Sequence, residues 1–233
     1  MAGKEPIWID TRSQLEYQMG HIPGARYLEL TAPRLRLRDE DELQALAAGL
    51  AEINSRLALP PGAHLICYDQ GLSARLARTA FFLLLAGHNP KLVTGGFEEL
   101  LTETSAHHPE PIEPWVDFRS EYLLSADQVL NFPRILDVRT QEEYRGRQKA
   151  GCDPRPGRIP GAEFAPLELF FEPDTLLAKI KVAPGEPVGV YCHSGARSSV
   201  AFFVLRSLGV PVRNYLGSMH EWSAEPDLPV EVG

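Results

Sequence analysis

The chain has 233 residues, 44% of them hydrophobic and 23% charged, which is the balance of a folded globular protein and excludes global disorder. Lys and Arg number 23 against 31 Asp and Glu, a net charge of −8, so the basic footprint of a sequence-independent nucleic-acid binder is missing. No apolar run nears the ~18–20 residues that span a bilayer. Residues 1–6 lack a secretory apolar core, and the expectation is a cytoplasmic protein with neither membrane nor nucleic acid as partner.

The predicted elements repeat along the chain. Ile7-Trp8-Ile9-Asp10-Thr11-Arg12 reads as a short strand ending in Asp-x-Arg, and Ile135-Leu136-Asp137-Val138-Arg139 reads the same way. Each is followed by a capping box, Ser13 with Glu16 and Thr140 with Glu143, in which hydroxyl and carboxylate satisfy free amides at a helix start. Tyr17 or Tyr144 comes next, then His21-Ile22-Pro23-Gly24-Ala25 or Arg158-Ile159-Pro160-Gly161-Ala162. Apolar stretches 64–68 and 188–191, each after a Pro/Gly turn (60–62 and 183–185), read as buried strands. Helices are predicted over 77–86 and 199–208, stopped by Gly87 and Gly209. Further strands at 92–93 and 212–215 lead to Gly95-Gly96-Phe97 and Gly217-Ser218-Met219-His220-Glu221-Trp222.

The chain is therefore a duplication. Alternating strands and helices predict an α/β fold with a parallel sheet flanked by helices in each half. The Pro- and His-containing stretch 105–114 is expected to be a linker between domains 1–104 and 115–233. His107 and His108 are expected as solvated loop residues, and the second half alone carries an insertion at 146–157.

Cys67, Cys152 and Cys192 form no C-x-x-C and no zinc-like pairing, so no disulfide framework is expected. Cys67 reads as a core residue and Cys152 as incidental or a redox thiol. Cys192-His193-Ser194-Gly195-Ala196-Arg197-Ser198 is the informative segment, lying between a strand and a helix. Such a turn aims several amides at one point, the helix start adds positive potential, and Gly195 lets the backbone close tightly. With Arg197 beside it, a thiolate here is stabilised into the ~3.5–7.5 range. Activation alone is a weak reason for such a loop. A fall of ~2 units raises the thiolate fraction ~25-fold while nucleophilicity falls ~8-fold, a net gain of ~3-fold. Stabilising an anionic adduct on the sulfur is the stronger reason: a persulfide, a phosphocysteine or an arsenate adduct.

These motifs together resemble the rhodanese family of sulfurtransferases, over nearly the whole chain, as two tandem rhodanese-like domains. The resemblance rests on Asp137-Val138-Arg139, Arg158 to Ala162, the Cys192 loop and Gly217 to Trp222, with His21 to Ala25, Tyr68-Asp69 and Gly95 to Phe97 in the first half. It implies that only the second domain is catalytic. Alignment of Tyr68 with Tyr191 places Asp69 where Cys192 stands, and a carboxylate cannot carry sulfane sulfur.

What the resemblance implies is a thiosulfate sulfurtransferase, or a 3-mercaptopyruvate sulfurtransferase as the other subclass. Sulfur would pass through a Cys192 persulfide to a thiophilic acceptor such as cyanide, a small thiol or a protein thiol, with no metal or organic cofactor. Cys192 would be the catalytic residue, and His193, Ser194, Gly195, Ala196, Arg197 and Arg155 would bind substrate. Arg155 matches an arginine that mercaptopyruvate enzymes use for the substrate carboxylate, whereas Glu143 departs from relatives that carry a donor-binding Arg there. Asp137 with Arg139, His21 and Trp222 are expected to be structural. Residues 29–37 offer no match to the acid and His partners of the mercaptopyruvate enzymes, which tilts the donor toward thiosulfate. Two alternatives stand beside this reading. One is a persulfide relay or regulatory module acting on a protein partner. The other is a cysteine phosphatase or arsenate reductase, against which the short Cys-x4-Arg spacing argues. A monomer is the expected state.

Overall fold

The computed structural model describes residues 5–30, 35–183 and 185–233. The expectations that involve residues 1–4, residues 31–34 and Pro184 lie outside these. The described residues form two compact units, 5–30 with 43–120, and 35–42 with 121–233. No helix among the described residues is long and apolar enough to cross a membrane.

The first unit contains β1 (Ile7–Asp10), α1 (Gln14–Met19), β2 (Arg26–Tyr27), most of α2 (Glu40–Arg56), β3 (Leu65–Tyr68), α3 (Ala74–Leu85) and β4 (Lys91–Val93). Its sheet runs β2-β1-β3-β4, every pairing parallel. Ile9, Leu65, Cys67 and Tyr68 are fully buried in it, as near-continuous apolar strands of a sheet covered on both faces should be. Helix α3 is buried from Leu76 through Leu85, so its apolar run packs all round.

The second unit repeats the plan with α4 (Ala126–Val129), β5 (Ile135–Asp137), α5 (Gln141–Tyr144), β6 (Glu163–Phe164), α6 (Pro173–Ile180), β7 (Val188–Tyr191), α7 (Ala196–Ser207), β8 (Val212–Asn214) and α8 (Ser218–Trp222). Its parallel sheet runs β6-β5-β7-β8. The core gathers Tyr191, Tyr215, Met219 and Trp222 with Ile135 and Ile159. Trp222 is structural, as expected: it is fully buried, and its indole N–H donates to the Pro229 carbonyl at 2.7 Å.

Both capping boxes form, on Ser13 with Glu16 and on Thr140 with Glu143. Gly87 and Gly209 end their helices with positive φ of 104° and 77°. Their amides donate to Leu84 and Arg206, and the next residues, His88 and Val210, donate to Leu83 and Leu205. That is the paired-bond closure a left-handed glycine permits. The two long helices begin three residues earlier than predicted, at Ala74 and Ala196. Arg197 and Ser198 thus lie in the first turn of α7 rather than in a loop.

The stretch 105–114 is not a free linker. The His107 N–H donates to the Tyr17 hydroxyl at 3.0 Å, the Ile112 N–H to the Ser55 carbonyl at 3.2 Å, and the Ser55 hydroxyl to the Ile112 carbonyl at 2.5 Å. Its prolines forbid helix and ladder, yet an extended chain still exchanges hydrogen bonds with the end of α2. Segment 35–42, by contrast, falls in the second unit. There the Arg38 N–H donates to Glu221 Oε1 at 2.8 Å, and its guanidinium meets Asp227 at 2.9 and 3.0 Å.

The duplication extends to single hydrogen bonds. Arg12 Nη2 lies 2.6 Å from Asp10 Oδ2, and Arg139 Nη2 lies 2.6 Å from Asp137 Oδ2. Tyr68 and Tyr191 each donate to the same aspartate at 2.6 Å. Tyr17 and Tyr144 donate to the Ala25 and Ala162 carbonyls, each at 3.0 Å. The pair Asp137 and Arg139 is buried and structural, a buried charge satisfied by its neighbour and by the Gly157 carbonyl.

Candidate active site

β7 delivers Cys192 to the C-terminal edge of the second sheet, where α7 begins. Gly195 makes the junction possible: its φ is +87°, and a Cβ there would lie 2.9 Å from the Leu216 carbonyl oxygen. No L side chain fits that backbone without strain. The Gly195 amide then donates to Cys192 Sγ at 3.2 Å. From the other side, the Cys192 amide donates to Ser218 Oγ at 3.1 Å, and that hydroxyl donates to the Tyr215 carbonyl at 2.8 Å. Backbone bonds from Met219 to the Cys192 carbonyl and from His220 to the His193 carbonyl tie α8 to the cysteine turn.

Cys192 is only 1% exposed. Burial by itself pushes a thiol up. The Arg197 charge, the amide and hydroxyl of Ser198 and the amide of Ser194 outweigh it, and the Cys192 thiol is held below its ordinary value. Cys67 is the contrast: buried in β3 with no such partners, its thiol is pushed far up. All three cysteines are free thiols.

Arg197 does not extend freely toward a ligand. Its two terminal nitrogens reach the two oxygens of Glu143, each at 2.7 Å. That ion pair and the Thr140 cap hold the Glu143 carboxyl down at about 2, against the opposing effect of burial. The capping-box carboxylate of Glu143 is thus what fixes Arg197 at the start of α7.

Arg155, expected to bind the donor, places its guanidinium on backbone carbonyls: Nε on Ser223 at 2.9 Å, Nη1 on Leu228 at 2.8 Å, and Nη2 on Trp222 at 2.9 Å and Glu225 at 2.6 Å. Four hydrogen bonds leave little of a five-donor group for substrate. It clamps the chain that follows α8, because that chain turns its carbonyls inward.

His193 departs from Cys192 toward the insertion. Its Nε2 lies 3.1 Å from Asp153 Oδ1 and 3.6 Å from Cys152 Sγ, and His220 Nδ1 lies 3.5 Å from the same Asp153 oxygen. Asp153 is 4% exposed, and its carboxyl is lowered by its bond to His193 against burial. Sequence reading assigned no role to Asp153 or His220. Ser194 and Ala196 sit half-buried in the turn. His21 is structural: fully buried, with Nδ1 2.8 Å from the Tyr17 carbonyl oxygen and its ring stacked on Tyr17 at 3.8 Å.

In the first domain, Asp69 occupies the place of Cys192. Its carboxylate accepts from the Gln70 amide, the Ser73 hydroxyl and the Arg75 guanidinium at 2.6–3.2 Å. The turn is thus filled by its own acid, which takes the Gln70 amide, the Ser73 hydroxyl and Arg75.

The rhodanese-like domain profile matches residues 1–103 and 121–225. The thiosulfate sulfurtransferase of Azotobacter vinelandii is 27% identical over 254 residues, covering 100% of this chain and 93% of that protein. The 3-mercaptopyruvate sulfurtransferase of Escherichia coli (strain K12) is 29% identical over 247 residues, covering 93% of this chain and 85% of that one. Among solved structures, that of a probable thiosulfate sulfurtransferase superposes with a TM-score of 0.93 at 52% identity, covering 99% of both chains. With two copies of the sheet, of the buried Asp–Arg–Tyr cluster and of the profile match, the chain belongs to the rhodanese-like domain family as a tandem pair.

Proposed function

We propose that this chain is a thiosulfate sulfurtransferase that carries sulfur on Cys192 in its second domain. The observation that carries the reading is the Gly195 amide on Cys192 Sγ at 3.2 Å, at the start of α7. A cradle of amides around one buried sulfur suits an anionic sulfur adduct, in the way an oxyanion hole suits oxygen. The Cys192 thiolate attacks the outer sulfur of thiosulfate; a new S–S bond forms, the old one breaks, and sulfite leaves with the electron pair. Cyanide or a thiol then takes the terminal sulfur and regenerates the thiolate. The first domain is a scaffold, because Asp69 fills its turn.

Burial of Cys192 favours a small donor and acceptor over a bulky one. A protein thiol is the other acceptor this scheme accommodates, and a cytoplasmic monomer is the state it assumes. The phosphatase or arsenate reductase reading loses support, since Arg197 is occupied by Glu143 rather than open to a tetrahedral oxyanion.

The test is steady-state kinetics with cyanide as acceptor and thiosulfate or 3-mercaptopyruvate as donor. Parallel double-reciprocal lines with thiosulfate as the faster donor are expected. Faster turnover of 3-mercaptopyruvate would reassign the subclass, and no turnover with either would overturn the enzyme reading in favour of a relay.

A further inference from the structure

The cluster beside the cysteine turn has a chemistry of its own. Cys152 Sγ, Asp153 Oδ1, His193 Nε2 and His220 Nδ1 are four different donors whose ligand atoms all lie within 4.8 Å of one another. The contacts among them are 3.1 Å (His193 to Asp153), 3.5 Å (His220 to Asp153), and 3.6 Å from Cys152 to both His193 and Asp153. Donors held 2.0–2.3 Å from a tetrahedral ion stand roughly 3.3–3.6 Å apart. Four of the separations, from 3.1 to 3.6 Å, lie close to that figure, and the other two stay within 4.8 Å.

We propose that these four side chains form a binding site for a divalent transition cation of the zinc class. The donor set selects the ion. One thiolate and two imidazoles are too soft for magnesium or calcium, which take oxygen cages, while zinc accepts S, N and O together. Charge also balances: when the ion enters, the Cys152 S–H bond gives its proton to solvent and an S–metal bond forms. A thiolate and one carboxylate then neutralise the two positive charges.

The site is built rather than accidental. Asp153 is 96% buried by its 4% exposure, its amide donates to the Ala150 carbonyl at 3.0 Å, and its own carbonyl accepts from Lys149 Nζ at 2.6 Å. The His220 amide donates to the His193 carbonyl at 2.8 Å, which keeps the two imidazoles on one side of the turn. Cys152 is exposed and provides the way in. Four protein donors close a tetrahedral shell, the pattern of a structural or regulatory ion rather than a hydrolytic one. The site lies next to the catalytic turn but excludes Cys192, and it stands whether or not the chain transfers sulfur.

The experiment uses the full chain, stripped with a chelator and titrated with Co²⁺ alone, then with Zn²⁺ in competition. One Co²⁺ per chain is expected, with visible bands of a four-coordinate ion and a sulfur-to-cobalt charge-transfer band. Zn²⁺ should displace it and raise the unfolding midpoint. Cys192→Ser should keep the whole signature, whereas Cys152→Ala should lose the charge-transfer band, and His220→Ala the tight binding. Cys152 is exposed, so its variant tests the site without a folding penalty. Absence of stoichiometric Co²⁺ binding would overturn the proposal, leaving a hydrogen-bonded His–Asp–His group. Retention of the band in Cys152→Ala, or its loss in Cys192→Ser, would also overturn it, since the metal would then sit on the other thiol.

Discussion

Glu143 grips Arg197 with both oxygens, each 2.7 Å from a terminal nitrogen, and Arg197 in turn is the largest influence lowering the Cys192 thiol. The first domain has the same triangle with a different outcome. Arg75 stands 3.7 Å from Glu16 but 3.0 Å from Asp69, so the acid inside the turn takes the arginine. Where the turn holds a thiol instead, the helix-capping glutamate takes it.

Acid stability should report this pair. The Glu143 carboxyl titrates near 2 in the folded chain, below its ordinary 4.5. A lowered folded value means the stabilisation is complete above about pH 4.5 and is lost as pH falls toward about 2. After solvent screening it amounts to on the order of 1–2 kcal/mol. Urea unfolding between those pH values should show that slope in the wild type, and Glu143→Gln should flatten it.

Gly195→Ala should damage both folding and chemistry. Its positive φ costs a β-carbon about 1–2 kcal/mol, before the clash with the Leu216 carbonyl. A displaced amide no longer meets Cys192 Sγ, and a misplacement of about 1 Å can cost ~100-fold in rate. Denaturation curves and cyanide-coupled turnover check the two effects separately.

Arg155→Met should behave as a stability mutant. Four backbone carbonyls lose a charged donor, worth about 2–4 kcal/mol together after partial resolvation. At a temperature where the variant stays folded, the donor KM should stay within about 2-fold of wild type. A large rise in KM without a stability loss would restore the donor-binding role.

The duplication, the parallel α/β plan of each half and both capping boxes were legible, because they rest on local spacing: Asp-x-Arg after an apolar strand, hydroxyl and carboxylate three apart, whereas the strand orders rest on long-range pairing. The cysteine turn was legible for the same reason. Four things were not. The first turn of α7 looked like loop, since Ala196, Arg197 and Ser198 carry no apolar period and their helical state comes from Gly195 acting as the cap. Arg155 read as a ligand for carboxylate, because nothing local shows that carbonyls of residues 222–228 turn toward it. The four-donor cluster escaped entirely: Cys152, Asp153, His193 and His220 come from three separate segments, and only the folding of the insertion against α8 and the turn unites them. Segment 35–42 joined the second unit through Arg38 and its acids, again a pairing across distant sequence.

The most direct test of the account is intact mass after incubation with thiosulfate, read for the wild type and for Cys192→Ser. The account predicts a gain of one sulfur, about 32 Da, on the wild type alone, removed again by cyanide. No gain on the wild type, or an equal gain on Cys192→Ser, would contradict it.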